Sequence, residues 1–482
     1  MPTANLQHGI NTFKKPTRMV GVTRATVGVP LFVGCMPIHK AGKAYEAGPM
    51  LFNTFDEAAE YGYSEAWRDA SGNPKWTLCQ AAYGFMRLFN MAPCYFVNVF
   101  DPATHKAAVA AADKTVTDHK VILPEDAIND SALVVKTASD AEAALVKGTD
   151  YEVIYTDDAC VIELLSTGSA YSAETLNVAY NAVDLSQITA AKIEAGFEQS
   201  ELCKAKYNII PDLLCAPGWS KNTAVAAVMA AKAPNICGLF RGKAVVDIDT
   251  SAAGADTFDK VLTWKNTNGY TDENMIVCWP LIKIGDRVFD MSVIVCGVIC
   301  RTDTNNADLP YESPSNKTLT MNGLVNAAGT ELHMTTLRGD AVSVYDGVVT
   351  AMNFNGWRIW GNYTGCYPGN SDPAFAFIPV NRMMDFLCNT FVNTFWNFID
   401  RPMNRVLIDA IVNTFNSFLD GLVATEALLG GEIVYVPDNN PAADLLAGKF
   451  RLDLQMASAL PAQQINLFSE FSVDMLTNAL NG

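Results

Sequence analysis

The chain has 482 residues, half of them hydrophobic and 18% charged, against the roughly 25% charged residues usual in soluble domains, which points to a well-buried globular protein of about three domains. A net charge of −17 excludes a nucleic-acid binder, because a phosphate backbone needs a basic face and the most basic stretch, "FKKPTR" (13–18), is short. The twelve cysteines are scattered singly, mostly in apolar runs such as "VIVCGVIC", which suits small core residues in a reducing compartment and not a disulfide framework.

The N-terminus is polar and carries no signal-peptide pattern. Apolar runs are interrupted before about 18 residues, so no membrane insertion is expected. Residues 1–24 read as an extended arm dotted with Leu6, Ile10 and Phe13, in which Pro2 and Pro16 discourage a helix. "VGVPLFVGCMP" (27–37) reads as a buried strand, "TFDEAAEYGYSEAW" (54–67) as a helix, "TLCQAAYGFMRLFNMAP" (77–93) as a helix stopped near Pro93, and "CYFVNVF" (94–100) as a strand. This α/β alternation covers 25–103 and forms the first part of a central domain.

The texture changes near residue 104. "HKVILPE", "ALVVKTA", "YEVIYTDD", "CVIELL" and "ETLNVAYNAVD" are short strands parted by turn residues, the pattern of a small β-sandwich over 104–195. The α/β texture resumes over 196–364: strands in 206–220, 242–249 and 273–284, and helices over 221–234 (with Ser220 as its cap), 256–266 and 291–300. Strands apolar on both faces with helices between them predict a mostly parallel, doubly wound sheet, in which 104–195 is an inserted domain.

An α+β unit follows over 365–460. Two amphipathic helices, 381–400 and 403–429, are parted by Pro402, and the strands "GEIVYVP" and "KFRLDLQMA" come after them. In the last segment, 461–482, "INLFSEFSVDML" (465–476) alternates Ile465, Leu467, Phe471 and Val473 with Asn466, Phe468, Glu470, Ser472 and Asp474. That is the pattern of a half-buried strand. Nothing after it can return to pair with it, so one edge is left for another chain.

Catalytic constellations are sought where open α/β sheets hold ligands, at the carboxyl ends of the strands. No G-x-G-x-x-G, P-loop or G-x-S-x-G follows them. The five histidines, His8, His39, His105, His119 and His333, show no metal-ligand spacing. No catalytic residue, cofactor or metal is assigned. Arg401 and Arg405 open the second amphipathic helix and are candidates for an acidic partner.

The order of parts resembles the contractile tail sheath proteins of phages and phage-tail-like bacteriocins. The resemblance rests on "HGI" (8–10), "GTDYEVIY" (148–155), "ETLNVAYNAVD", "PYESPSNKTL" (310–319), "NGWRIWGNYT" (355–364) and the long helical stretch with its closing strands. It implies a non-catalytic central domain of subtilisin-like fold, an inserted β-sandwich, a C-terminal α+β domain facing an inner tube, and N- and C-terminal arms exchanged between subunits. Leu6, Ile10, Phe13, Ile465, Leu467, Phe471 and Val473 would carry that exchange by adding strands to neighbours. Subunits would stack as hexameric rings around the tail tube protein, together with baseplate and terminator proteins. They would assemble in the bacterial cytoplasm and contract without nucleotide to drive the tube through an envelope.

Two other readings compete. An α/β hydrolase predicts a convergent Ser/His/Asp or metal cluster. A carbohydrate- or cell-surface-binding module predicts exposed aromatic residues on the β-sandwich, where the sequence supplies scattered Tyr151, Tyr155, Tyr171 and Tyr180.

Overall fold

The computed structural model describes residues 21–138 and 143–481. Its centre is a six-stranded sheet in the order Met275–Cys278, Lys243–Asp247, Leu213–Cys215, Pro30–Gly34, Cys94–Asn98, Pro49–Phe52. The first five strands are parallel and the last is antiparallel. All residues of these five parallel strands are buried, because helices cover both faces. Ala190–Glu198 packs beside Thr223–Lys232, and Met291–Asn305 packs against the helical turn Ala82–Leu88. Gly196 lets its helix touch the sheet: a Cβ there would lie 2.5 Å from Val33 Cγ1, closer than packed carbons approach.

Between the strands Cys94–Asn98 and Leu213–Cys215 the chain forms two small antiparallel sheets. One pairs Lys106–Thr115 with Thr175–Val183, which also takes Ala127–Ile128 and Val134–Lys136. The other is Lys120–Pro124, Ala159–Leu164 and Tyr151–Tyr155. Val121, Ile162, Val135, Leu176 and Val178 join them in one core. The two crossings of the chain meet where Asp184 N–H donates to His105 O at 3.0 Å. Lys40 and Lys75 hold Glu125 at 2.9 and 2.6 Å across the seam with the large sheet.

The last unit packs Ile378–Phe395 against Arg405–Ala424 through Met383, Phe386, Phe395, Ile411, Phe415 and Leu419. The strands Gly430–Val434 and Asp453–Ala457 pair antiparallel on this helix pair, with Ile433 opposite Leu454. Asn416 fixes them, accepting from Ile433 N–H at 2.7 Å and donating to its carbonyl at 3.1 Å. The unit is tied to the sheet by Arg382, which grips both carboxylate oxygens of Asp303 (2.9 and 2.6 Å) and one of Asp212 (3.0 Å). Lys243 pairs with Asp385 at 2.6 Å beside it.

Several expectations need correction. Residues 465–472 form no strand, and Val473–Asn481 is a helix. Ser472 accepts from Met475 N–H at 3.2 Å as its cap, a start signal that competes with the alternation before it. The helix expected over 54–67 is confined to Phe55–Ala59. Thr223–Lys232 is capped by Asn222, which accepts from Ala224 N–H at 3.0 Å, and not by Ser220. The boundary expected at 195/196 falls inside Ala190–Glu198, whose Ile193 and Phe197 belong to the large core. The strand Lys106–Thr115 went unread because alanine is depleted in strands. Arg405–Ala424 is long and apolar enough to cross a bilayer, but Ile408, Ile411, Phe415, Leu419 and Leu422 are spent on packing within the protein. Leu6, Ile10 and Phe13 lie outside the described residues.

Candidate functional site

The carboxyl end of the large sheet, where such sheets hold ligands, is filled by the protein itself. Asp247 ends its strand. It accepts from Ser220 Oγ at 3.0 Å, from Ser292 Oγ at 2.5 Å and from Ser292 N–H at 2.8 Å. Ser292 lies in the first turn of Met291–Asn305, so the carboxylate serves an unsatisfied helix N–H. All three residues are buried, and among the described residues no histidine is a hydrogen-bond partner of theirs. Asp247 thus joins the end of its strand to the start of the helix Met291–Asn305 and to Ser220.

Burial, and after it the neighbouring Asp290, pushes the Asp247 carboxyl up to about 7. A carboxyl raised on folding contributes stability that is complete below its unfolded value and is lost as pH rises through the folded one. Asp247→Asn removes that dependence. Its melting temperature relative to the unaltered chain is therefore expected to climb between pH 4 and pH 7. A constant difference across that range, measured by circular dichroism, would contradict the assignment.

The open features lie in the C-terminal unit. Among the described residues, Gly430–Val434 and Asp453–Ala457 pair only with each other; Asn416 occupies the outer edge of the first at Ile433, and the second presents a free edge. The segment after them is tethered where Tyr363 Oη donates to Gln463 Oε1 at 2.8 Å. Tyr363 is itself stacked on Tyr367 and Phe377. Beyond that tether the apolar side chains face outward: Ile465, Leu467 (91% exposed), Phe471 (75%) and Val473 (63%) touch no core. The structure thus places these four sequence-chosen residues on one exposed segment. Arg401 donates to Asn397 O at 2.9 Å and lies over Phe398. Arg405 pairs with Asp409 at 2.8 Å, both on the exposed start of their helix.

Sequence reasoning missed a groove of about 970 Å³ between the helix pair and the strand pair, lined by Phe391, Phe398, Ile399, Leu407, Ile433 and Leu454 among others. The unusually phenylalanine-rich faces of 381–400 and 403–429 were its only signal, and they read equally well as core.

No family profile matches the chain. The chain is 26% identical to the tail sheath protein of Burkholderia phage BcepMu over 510 residues, covering 99% of each. It superposes on the helical sheath of the anti-feeding prophage in its contracted state with a TM-score of 0.57 and 14% identity, over 98% of this chain and 100% of that one. The contracted sheath complex of the extracellular contractile injection system PVC matches with a TM-score of 0.57 and 13% identity, over 98% and 99%. At those identities the two structures speak for the fold.

Proposed function

We propose that the chain is a member of the contractile tail sheath protein family and the structural subunit of such a sheath, supported by its similarity to a phage tail sheath protein along nearly its whole length. Subunits polymerise around an inner tube in an extended state and repack as rigid bodies into a shorter, wider one. The observation that carries this reading is the pairing of two incomplete parts in one chain: a two-stranded sheet whose strand Asp453–Ala457 has its outer edge free among the described residues, and an exposed segment dotted with apolar residues. Each lacks what the other offers. Strand addition from one copy to the next, head to tail, makes a contact that propagates and does not close.

In this reading the large sheet is a subtilisin-like scaffold without catalysis, supported by the closed joint at Asp247. The two small sheets form an inserted β-sandwich on the outer surface. Arg401 and Arg405 meet an acidic inner tube, and baseplate and terminator proteins bound the two ends. Assembly takes place in the bacterial cytoplasm, with the product a virion tail or a released tail-like particle.

Electron microscopy of the purified chain with its tube protein tests this. Helical tubes with the small sheets at the outer radius are expected, and discrete particles would overturn the reading. Arg405→Glu isolates the tube contact, because Arg405 does not line the groove. It is expected to lower the fraction of tube-filled sheaths at low ionic strength and to have less effect at high salt. An unchanged fraction removes Arg405 from the tube surface.

A further inference from the structure

Two features remain after the free edge of Asp453–Ala457 is accounted for. One is the apolar groove of the C-terminal unit. The other is the helix Val473–Asn481, none of whose residues is buried. Its apolar half carries Val473, Met475, Leu476 and Leu480, all solvent-facing, and its polar half carries Asp474, Asn478 and Asn481. An amphipathic helix of nine residues is not stable by itself in water and takes its stability from the surface it covers. The groove presents such a surface, with Ile399 and Met403 exposed at its mouth.

Charge identifies the occupant. Arg241, Arg401 and Lys449 line the groove beside a single carboxylate, Asp400. All three cations are exposed, and none of them forms an ion pair among the described residues. Residues 454–482 contain no Lys, Arg or His, and their only charged side chains are Glu470 and Asp474. The other terminal segment, with Lys14, Lys15 and Arg18, has the wrong sign for this rim. Position agrees with charge: Ile433 and Leu454 of the strand pair also line the groove, so a strand added at that sheet would deliver the helix that follows it to the groove.

We propose that the groove receives the helix Val473–Asn481 of a second copy of this chain, apolar half inward, with Glu470 and Asp474 meeting Arg241 and Lys449 on the rim. The proposal rests on the strand-exchange reading and adds to it a second, helical anchor in the same contact.

Cys388 lines the groove and is half-buried, so it serves as a native reporter. In full-length chain carrying Leu476→Cys, assembled from tagged and untagged copies and treated with a short bis-maleimide, a tagged–untagged cross-linked dimer is expected. It should disappear when Cys388→Ser is added. A link confined to one chain, or none in tubes that form normally, overturns the proposal. Should the cysteine variant fail to assemble, a charge swap decides. Arg241→Glu with Lys449→Glu is expected to raise the concentration needed for assembly about fivefold, and adding Glu470→Lys with Asp474→Lys to restore it. No restoration overturns the proposal. Removing residues 473–482 separates the two readings: unimpaired tubes would reject the helical anchor while leaving strand exchange standing.

Discussion

Phe471→Asp combined with Val473→Asp is expected to leave a folded, soluble subunit that builds no helical tubes. Both side chains are exposed in the single chain, and surface substitutions that touch nothing change stability by about 0.5 kcal/mol or less. The melting temperature of the subunit therefore stays where it was. Under the proposed strand exchange the same two side chains enter the inter-subunit contact, where each would contribute roughly 1.5–3 kcal/mol by burial. Replacing both with carboxylates removes about 3–6 kcal/mol per contact, a factor of roughly 10² to 10⁴ in association, and adds the cost of desolvating two charges. Sedimentation and negative-stain microscopy read the result. Ordered tubes from the doubly substituted chain would show that the segment is only a tail.

The second large effect is on stability. Arg382→Ala is expected to destabilise the subunit by about 3–5 kcal/mol, because it strands Asp303 and Asp212 in the interior without a counter-charge. Asp303 is buried, and burial already lifts its carboxyl to about 6 against the downward pull of Arg382. Without the guanidinium it rises further. The sign of the pH dependence follows: a carboxyl raised on folding loses its contribution as pH rises through the folded value. The deficit of the variant should thus be smaller at pH 5 than at pH 8 in urea unfolding. A deficit independent of pH would mean that packing loss, and not the stranded carboxylate, sets the effect. Arg382→Lys keeps the charge but loses the two-pronged grip on Asp303, and falls between the two. Arg382, on the helix Ile378–Phe395, thereby ties the C-terminal unit to Asp212 just before the strand Leu213–Cys215 and to Asp303 on the helix Met291–Asn305.

Much of the fold was legible because its signals are local. Strands apolar on both faces, such as Lys243–Asp247 and Met275–Cys278, announce a covered parallel sheet through composition alone. Leu176, Val178 and Tyr180 mark one face of Thr175–Val183 by period two, and the phenylalanines of Ile378–Phe395 and Arg405–Ala424 mark a helix stripe. The exposed segment was found from the same kind of pattern, but its conformation was not. A strand needs a partner edge to hold its backbone groups, so alternation over 465–476 could not make one, while the Ser472 cap needs only its own next turn and did make a helix. Tertiary structure alone decided what depends on residues far apart in the chain. Ser220, Asp247 and Ser292 close the end of the sheet where a ligand would sit, Arg382 meets Asp303 and Asp212 across the joint, and the groove exists only once two helices and two strands are packed. Sequence patterns report which face of an element avoids water; which other surface meets that face is settled by long-range packing, for which period and composition carry no signal.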